Sequence, residues 1–437
     1  MLSPLLQLLF VVLLLVRDVS SSSTSGILVV GSANVDTFLP VKRLPVEGEN
    51  LTVPPGRAVE IDVPGGKGCN QAVAAARLLC HDGVDGASPV AFLGQFGNDA
   101  AGTILKSALA DANVDISACG TCHHAPSGRG YVFLQEESGK VSAVVLGGSN
   151  VEGWKGWEEQ DASAITDQYL DALLGGKSCV LLQREVPEYV NFRIAKRANE
   201  LGVVVMQDVG GEDRPMEEAM MRLCDYIIPN ASELNRLCKS LDKDRIGKAT
   251  TEHQEKNIKD IIERAKLLQK YGARNVLVTL GARGSVLVPE DGGEAIVQDS
   301  CRLPSHLSVV DETGAGDCFR AAFAVARASE KRTISESMEI ASAAGALAVT
   351  RKGAVPSIPD RTDVDALCRK SFGSPPISVP RGGDESRTCQ YNDICPHIFG
   401  SRLNSMKDRP DLHEGELGDV RHWVQGGNSG NSWSGMC

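Results

Sequence analysis

The sequence predicts an α/β fold: a mostly parallel sheet covered by helices on both faces, with a small β lid over one end. Two observations point there. From Gly26 to about Ser371, short apolar, β-branched runs alternate with helical patterns. Such alternation implies right-handed βαβ units around a parallel sheet. Two turn-rich stretches, 37–66 and 125–148, break the alternation. Both read as antiparallel ribbons that project from the sheet and cover its strand ends.

The strands are read in order at ILVVG (27–31), VAFLG (90–94), VLLQ (180–183), VVVMQD (203–208), YIIPN (226–230) and VLVTLG (276–281). Their near-continuous apolar character is that of strands buried on both faces. Helical patterns fall between them, near 68–80, 101–112, 188–201, 214–224, 254–271, 316–329 and 335–349. Ligands of such sheets bind beyond the carboxyl ends of the strands. The residues that follow each strand are therefore the ones in which to look for chemistry.

Composition bounds the function. The chain has 437 residues, of which 42% are hydrophobic, 23% charged and 45 in number glycine. This excludes collagen-like, largely disordered and polytopic membrane classes. The 45 basic and 56 acidic residues leave a formal charge of −11, which excludes general nucleic-acid binding, because phosphate contacts need clustered Lys and Arg. An anionic ligand then needs a local site. Thirteen cysteines are scattered through apolar sequence and read as buried free thiols rather than a disulfide framework.

The two ends differ from the middle. Residues 1–25 hold an apolar run from Leu5 to Val16 and a Ser-rich stretch. The run is too short for a stable membrane span. A signal peptide, part of an organelle-targeting leader and a misassigned start are the three readings open. Residues 372–437 begin as a Pro/Gly linker and end polar and of low complexity, which reads as a mobile tail, with partner binding as the alternative.

Five constellations carry chemistry. In DETGAGDCFRAAFAVA (311–326), Gly314, Ala315 and Gly316 form a small-residue turn into a helix. Its exposed N–H groups and dipole make an anion site. Asp317 beside that site suits a base that takes a proton from an attacking hydroxyl in phosphoryl transfer. A tight turn with Asp317 as a helix cap is the plainer alternative. In VPGGKGCNQAVAAARLL (63–79), Gly65, Gly66 and Gly68 allow close backbone approach, while Lys67 and Asn70 present polar groups. The alternative is a glycine-rich connection, and the Walker A spacing is absent. In GSANVD (31–36), Asn34 and Asp36 read as the polar turn after the first strand, able to bind a polyol or simply to form an Asx turn. In NASE (230–233), Asn230 and Glu233 suit water or Mg²⁺ near phosphates, or a capping box. In TLGARG (279–284), Thr279 and Gly281 could edge a nucleotide.

Taken together, GGKGCNQAVAAARL, LLQREVP, PNASE, VTLGARG, DETGAGD and AVTRKGAVPSIPD occur in the order found in the ribokinase-like family of carbohydrate kinases. The resemblance covers about residues 26–371, and GGKGxNQAVAA is similar to ribokinases rather than to fructokinases or adenosine kinases. It implies a three-layer α/β/α sandwich with a β lid, ATP as donor, Mg²⁺, an activating K⁺ and a homodimer formed through the lid. The implied reaction is phosphorylation of D-ribose at O5. By motif, Asp317 resembles the base, and Gly314, Ala315 and Gly316 resemble the anion hole. Asp36, Gly65, Gly66, Lys67, Asn70 and Glu185, with Asn34 beside them, resemble the sugar set. Asn230, Thr279, Gly281, Gly284, Gly316 and Ser342 match nucleotide positions. Glu233 matches a Mg²⁺ position acting through water. Asp311, Thr313, Ala348, Arg351, Gly353 and Ser357 resemble the K⁺ loop. The rivals are a kinase for another sugar or a nucleoside, and a non-catalytic sugar-binding or scaffold protein. A need for ATP and K⁺ favours the cytoplasm or an organelle lumen over secretion.

Two departures from the family pattern stand out. Glu312 replaces the usual Thr, next to the cation loop, and Arg320-Ala321 replace the frequent Asn-Gly one turn into the helix. Cys119-Gly-Thr-Cys122-His123 matches a haem-attachment spacing but reads as chance at the start of the second lid ribbon. His123 and His124 read as a solvated loop pair. Cys318 reads as a buried thiol, and Cys389 and Cys395 as residues of the mobile tail.

Overall fold

The computed structural model describes residues 26–79, 88–137, 141–157, 165–211, 213–241 and 257–373. The leader, the tail from 374 onward, Cys389 and Cys395 lie outside the described residues. Strands β1 (Gly26–Val30), β2 (Asn34–Val41) and β3 (Glu60–Gly65) precede helix α1 (Lys67–Leu78). Then come β4 (Val90–Leu93), β5 (Gln95–Gly97), α2 (Ala100–Asp111), β6 (Gly120–Cys122), β7 (Gly128–Gln135), β8 (Val141–Leu146) and the short helices α3 (Ser149–Glu152) and α4 (Asp167–Leu174). The second half runs β9 (Lys177–Arg184), α5 (Glu188–Glu200), β10 (Val204–Gly211), α6 (Glu218–Leu223), β11 (Tyr226–Ile228), α7 (Ala231–Leu241) and α8 (Ile258–Lys270). It ends with β12 (Asn275–Thr279), β13 (Ser285–Val288), β14 (Ile296–Gln298), α9 (Ala315–Ala324), α10 (Ile334–Ala348) and α11 (Arg361–Phe372).

The main sheet has the order β14-β13-β12-β11-β10-β9-β1-β4. It is parallel from β4 to β12, and antiparallel where β13 and β14 extend the edge. The apolar strands divide their side chains between two cores. Ile27 and Val29 of β1 pack in one core with residues of α1, α9 and α10. Leu28 and Val30 pack in the other with residues of α5, α7 and α8. Successive side chains of a strand point to opposite faces, so a strand sandwiched between two helical layers must be apolar throughout. The three-layer α/β reading holds.

The lid is a four-stranded sheet of order β3-β2-β7-β8. Each expected ribbon is antiparallel, β2 with β3 and β7 with β8. The two ribbons join through the parallel pair β2–β7. The lid starts earlier than the sequence suggested: Asn34 and Asp36 belong to β2 and not to a turn. Cys119 to Cys122 do not open the second ribbon. Gly120–Cys122 form β6, which pairs with β5 in a separate two-stranded sheet. The nine cysteines among the described residues are all free.

Helix boundaries follow their caps. Asp99 caps α2, Thr166 caps α4, and Asn257 caps α8, each accepting from a backbone N–H of the first turn. Thr333 and Glu336 form a reciprocal capping box at α10. The helix expected at 214–224 is shorter, beginning at Glu218. That expected at 316–329 is α-helical to Ala324 and ends in a π turn over Val325–Ser329. No helix among the described residues is long and apolar enough to cross a membrane.

Candidate active site

Five strand ends and the starts of two helices meet at one place. Both helices, α1 and α9, begin on glycine without a side-chain cap. Their first N–H groups are thus left for other partners. At α1 the Lys67 N–H donates to Glu185 Oε2, 3.2 Å away, just past β9. The Cys69 N–H donates to the carbonyl of Ser32 after β1. Gly66 has φ +87°, and a Cβ there would lie 2.7 Å from the Asn34 nitrogen. Gly66→Ala should therefore cost ~2–5 kcal/mol, backbone strain and overpacking combined, measured as a lower urea midpoint at unchanged slope.

Asp317, in the first turn of α9, is buried. Its Oδ2 accepts from Asn70 Nδ2 at 2.8 Å and its Oδ1 from Gln71 Nε2 at 3.1 Å. Lys67 Nζ lies 3.8 Å from Asp317 Oδ1 and 3.2 Å from Asp208 Oδ2. Burial disfavours the Lys67 charge, but Asp208 and Asp317 outweigh it and hold the ammonium above the usual lysine range. Gln71 Nε2 also donates to Asp208 Oδ2 at 2.9 Å. Arg320, one turn along α9, places Nε 3.1 Å from Asp208 Oδ1 and Nη2 3.5 Å from Glu233 Oε2. Three carboxylates and two cations thus interleave at the α9 N-terminus.

Asn230 and Glu233 satisfy both sequence readings at once. The Asn230 side chain accepts from the Glu233 N–H, and Glu233 accepts from the Asn230 N–H. That is a reciprocal cap, and it aims the same carboxylate at Arg320 beside the anion turn.

The residues expected from the sequence to bind a sugar lie beside this cluster. Asp36 is buried and its carboxylate makes no hydrogen bond among the described residues; it lies against Gly65 and Gly130, where a Cβ would come within 2.1 and 2.2 Å. Burial, and then the Glu185 charge, push Asp36 up to about 7. Burial also raises Glu185, against the pull of Lys67 and a hydrogen bond from the Ser32 hydroxyl. Asn70 Oδ1 is buried without a hydrogen-bond partner. Asn34 has a more local task, as its Oδ1 accepts from Asn150 Nδ2 at 2.7 Å.

The positions expected from the sequence at the nucleotide and the cation have partners of their own. Thr279 ends β12 and its N–H bonds to the Pro229 carbonyl, while Gly281 and Gly284 both have positive φ in the turn that follows. Ser342 is not in the charged cluster; its hydroxyl accepts from the Cys301 N–H. Asp311 accepts from the Thr313 N–H and hydroxyl and from the Gly353 N–H. It so ties the turn at Thr313 to the segment after α10, which ends at Ala348 and leads on to Arg351, Gly353 and Ser357. The Ser357 hydroxyl donates to the Ala354 carbonyl.

Comparison with known proteins decides the family. The model of the pfkB family carbohydrate kinases matches residues 24–361. A ribokinase of Arabidopsis thaliana is 36% identical over 348 residues, 79% of this chain and 82% of the relative. The chain belongs to the ribokinases of the pfkB family of carbohydrate kinases. A ribokinase of Haemophilus influenzae is 30% identical, over 77% of this chain and 95% of the relative. Among solved structures, the fold is similar to an Arabidopsis thaliana ribokinase complexed with ribose and ATP, at 34% identity and TM-score 0.65, covering 79% of this chain and 99% of that one. As a member of this family the protein is a sugar kinase.

Three residues of this cluster escaped the sequence reading. Asp208 ends an apolar strand run, and a carboxylate at the carboxyl end of a buried strand is itself a pointer. Gln71 sits inside an Ala-rich helix pattern, where it reads as packing. Ser32 reads as a turn residue.

Proposed function

We propose that this chain transfers the terminal phosphoryl group of ATP to O5 of D-ribose, giving ADP and D-ribose 5-phosphate. One observation carries the reading. Asn70 fixes Asp317 through Nδ2 while leaving its buried Oδ1 without a partner. A buried orphan acceptor costs stability unless a ligand donor meets it, and a sugar hydroxyl is such a donor beside the base.

In this reading Asp36, Asn70 and Glu185 accept from the sugar hydroxyls, and the Gly65–Gly66 turn lets the ring approach the backbone. Asp317 takes the proton of the 5-hydroxyl. O5 bonds to the terminal phosphorus as the bond to the bridging oxygen of ADP breaks. The N–H groups of the Gly314 to Gly316 turn, among which Ala315 also donates to the Glu312 carbonyl, receive the charge on the moving phosphoryl oxygens.

Mg²⁺ keeps several waters and takes phosphate oxygens with one or two carboxylates, and Glu233 beside the α9 turn is such a carboxylate. Glu233 would hold it through water. When bound, Mg²⁺ neutralises phosphate charge. The Asp311 loop is proposed to bind K⁺ through Thr313, Ala348, Arg351, Gly353 and Ser357. Support for a dimer through the lid comes from its exposed apolar residues, Ile61, Val144, Val145 and Leu146.

A panel of pentoses, hexoses and nucleosides with ATP tests the substrate. Ribose should give the highest kcat/KM. Equal or better rates on fructose or adenosine would overturn the assignment.

A further inference from the structure

We infer that Arg320 is a further phosphate-binding residue, whose Nη1 takes an oxygen of the transferred phosphoryl group at the Gly316 turn. The inference rests on the kinase reading above.

Arg320 is 3% exposed. Its Nε and Nη2 both donate to the Ile228 carbonyl at 3.1 Å, and Nε also pairs with Asp208. These contacts hold the guanidinium plane. Nη1 has no hydrogen-bond partner among the described residues and points at Gly316, lying 2.6 Å from where a Cβ would stand. Gly316 therefore serves twice, through its N–H in the anion turn and through its missing side chain, which admits the guanidinium. A donor left open on a cation whose other arms are held is placed to take an anion through a charge-assisted hydrogen bond.

Charge points the same way. Asp208, Glu233 and Asp317 would repel a triphosphate, and Lys67 alone cannot offset three carboxylates. The residue frequent here in the family pattern, Asn, is shorter and neutral. A rigid, always charged fork with two arms already bound presents its third arm at little further entropic cost. This chain would then carry part of the phosphate-neutralising charge covalently.

Calorimetric binding of ATP and AMP in EDTA separates the possibilities, with ribose binding and melting temperature measured alongside. Arg320→Asn should weaken ATP roughly tenfold or more, as expected for one charged hydrogen bond, and leave AMP and ribose unchanged. Arg320→Lys should recover part of the loss. Equal ATP affinity in the Asn variant would overturn the inference. Parallel loss of ATP, AMP and ribose with a fall in melting temperature would do so too, by making Arg320 a brace for Asp208. Absence of ATP binding by the unchanged protein would instead overturn the kinase reading itself.

Discussion

Asp317→Asn should lower turnover by ~10²–10⁴, the usual contribution of a positioned base. Sugar binding and stability should hardly change. The amide is isosteric with the carboxylate, and its oxygen can keep the Asn70 Nδ2 donor, which leaves Asn70 Oδ1 open to the sugar and makes Gln71 the side that adjusts to the NH₂ group. The measurement is steady-state kinetics beside ribose titration of the same variant. A variant with near-normal kcat would remove Asp317 from the role of base. One that loses ribose binding in step with kcat would make it a structural tie between α1 and α9.

The second large effect concerns Asp36 and has a definite sign in pH. Its carboxyl is raised from 3.8 to about 7 in the folded protein. The unliganded fold therefore prefers the protonated form. Its contribution to stability is complete below pH ~4 and is lost as pH rises through about 7. Sugar hydroxyls donate to the ionised form, so ribose binding should expel a proton below pH 7, and affinity should climb by up to about tenfold per pH unit before levelling. Calorimetry in buffers of different ionisation enthalpy counts that proton. Asp36→Asn should weaken ribose roughly a hundredfold, abolish the proton release, and stabilise the unliganded protein at pH 8 by on the order of 2–4 kcal/mol. A flat affinity–pH profile in the unchanged protein would contradict the assignment.

The fold was legible because its main strands are apolar throughout and its helices are not. What escaped lay where local pattern and tertiary role diverge. Asn34 and Asp36 look like turn residues, yet β2 pairs with β7 over its whole length and carries them inward. Strands β5, β6, β13 and β14 are only three or four residues long, too short for a period of two to declare itself. The site motifs were visible as glycines and polar residues at strand ends. Their partners were not, since Asp208 and Gln71 owe their role to contacts more than a hundred residues away along the chain. Arg320 was visible as a departure from the family pattern. Its meaning needed the position of Gly316, whose bare Cα no one-dimensional pattern ties to a guanidinium.

Strand β2 has a mechanical consequence. It is rooted at Asn34, where the Asn150 side chain bridges to Ala33 as well, and two residues later it presents Asp36 before running out as a central strand of the lid. The lever and the fingertip are one piece. With Asp36 binding the sugar as proposed, a lid that lifts about this root would swing Asp36 with it, and opening and loosening of the sugar would be a single displacement. Redesigning the pocket for another sugar at this position therefore also retunes the hinge, and variants selected for new specificity should be screened for changed product release.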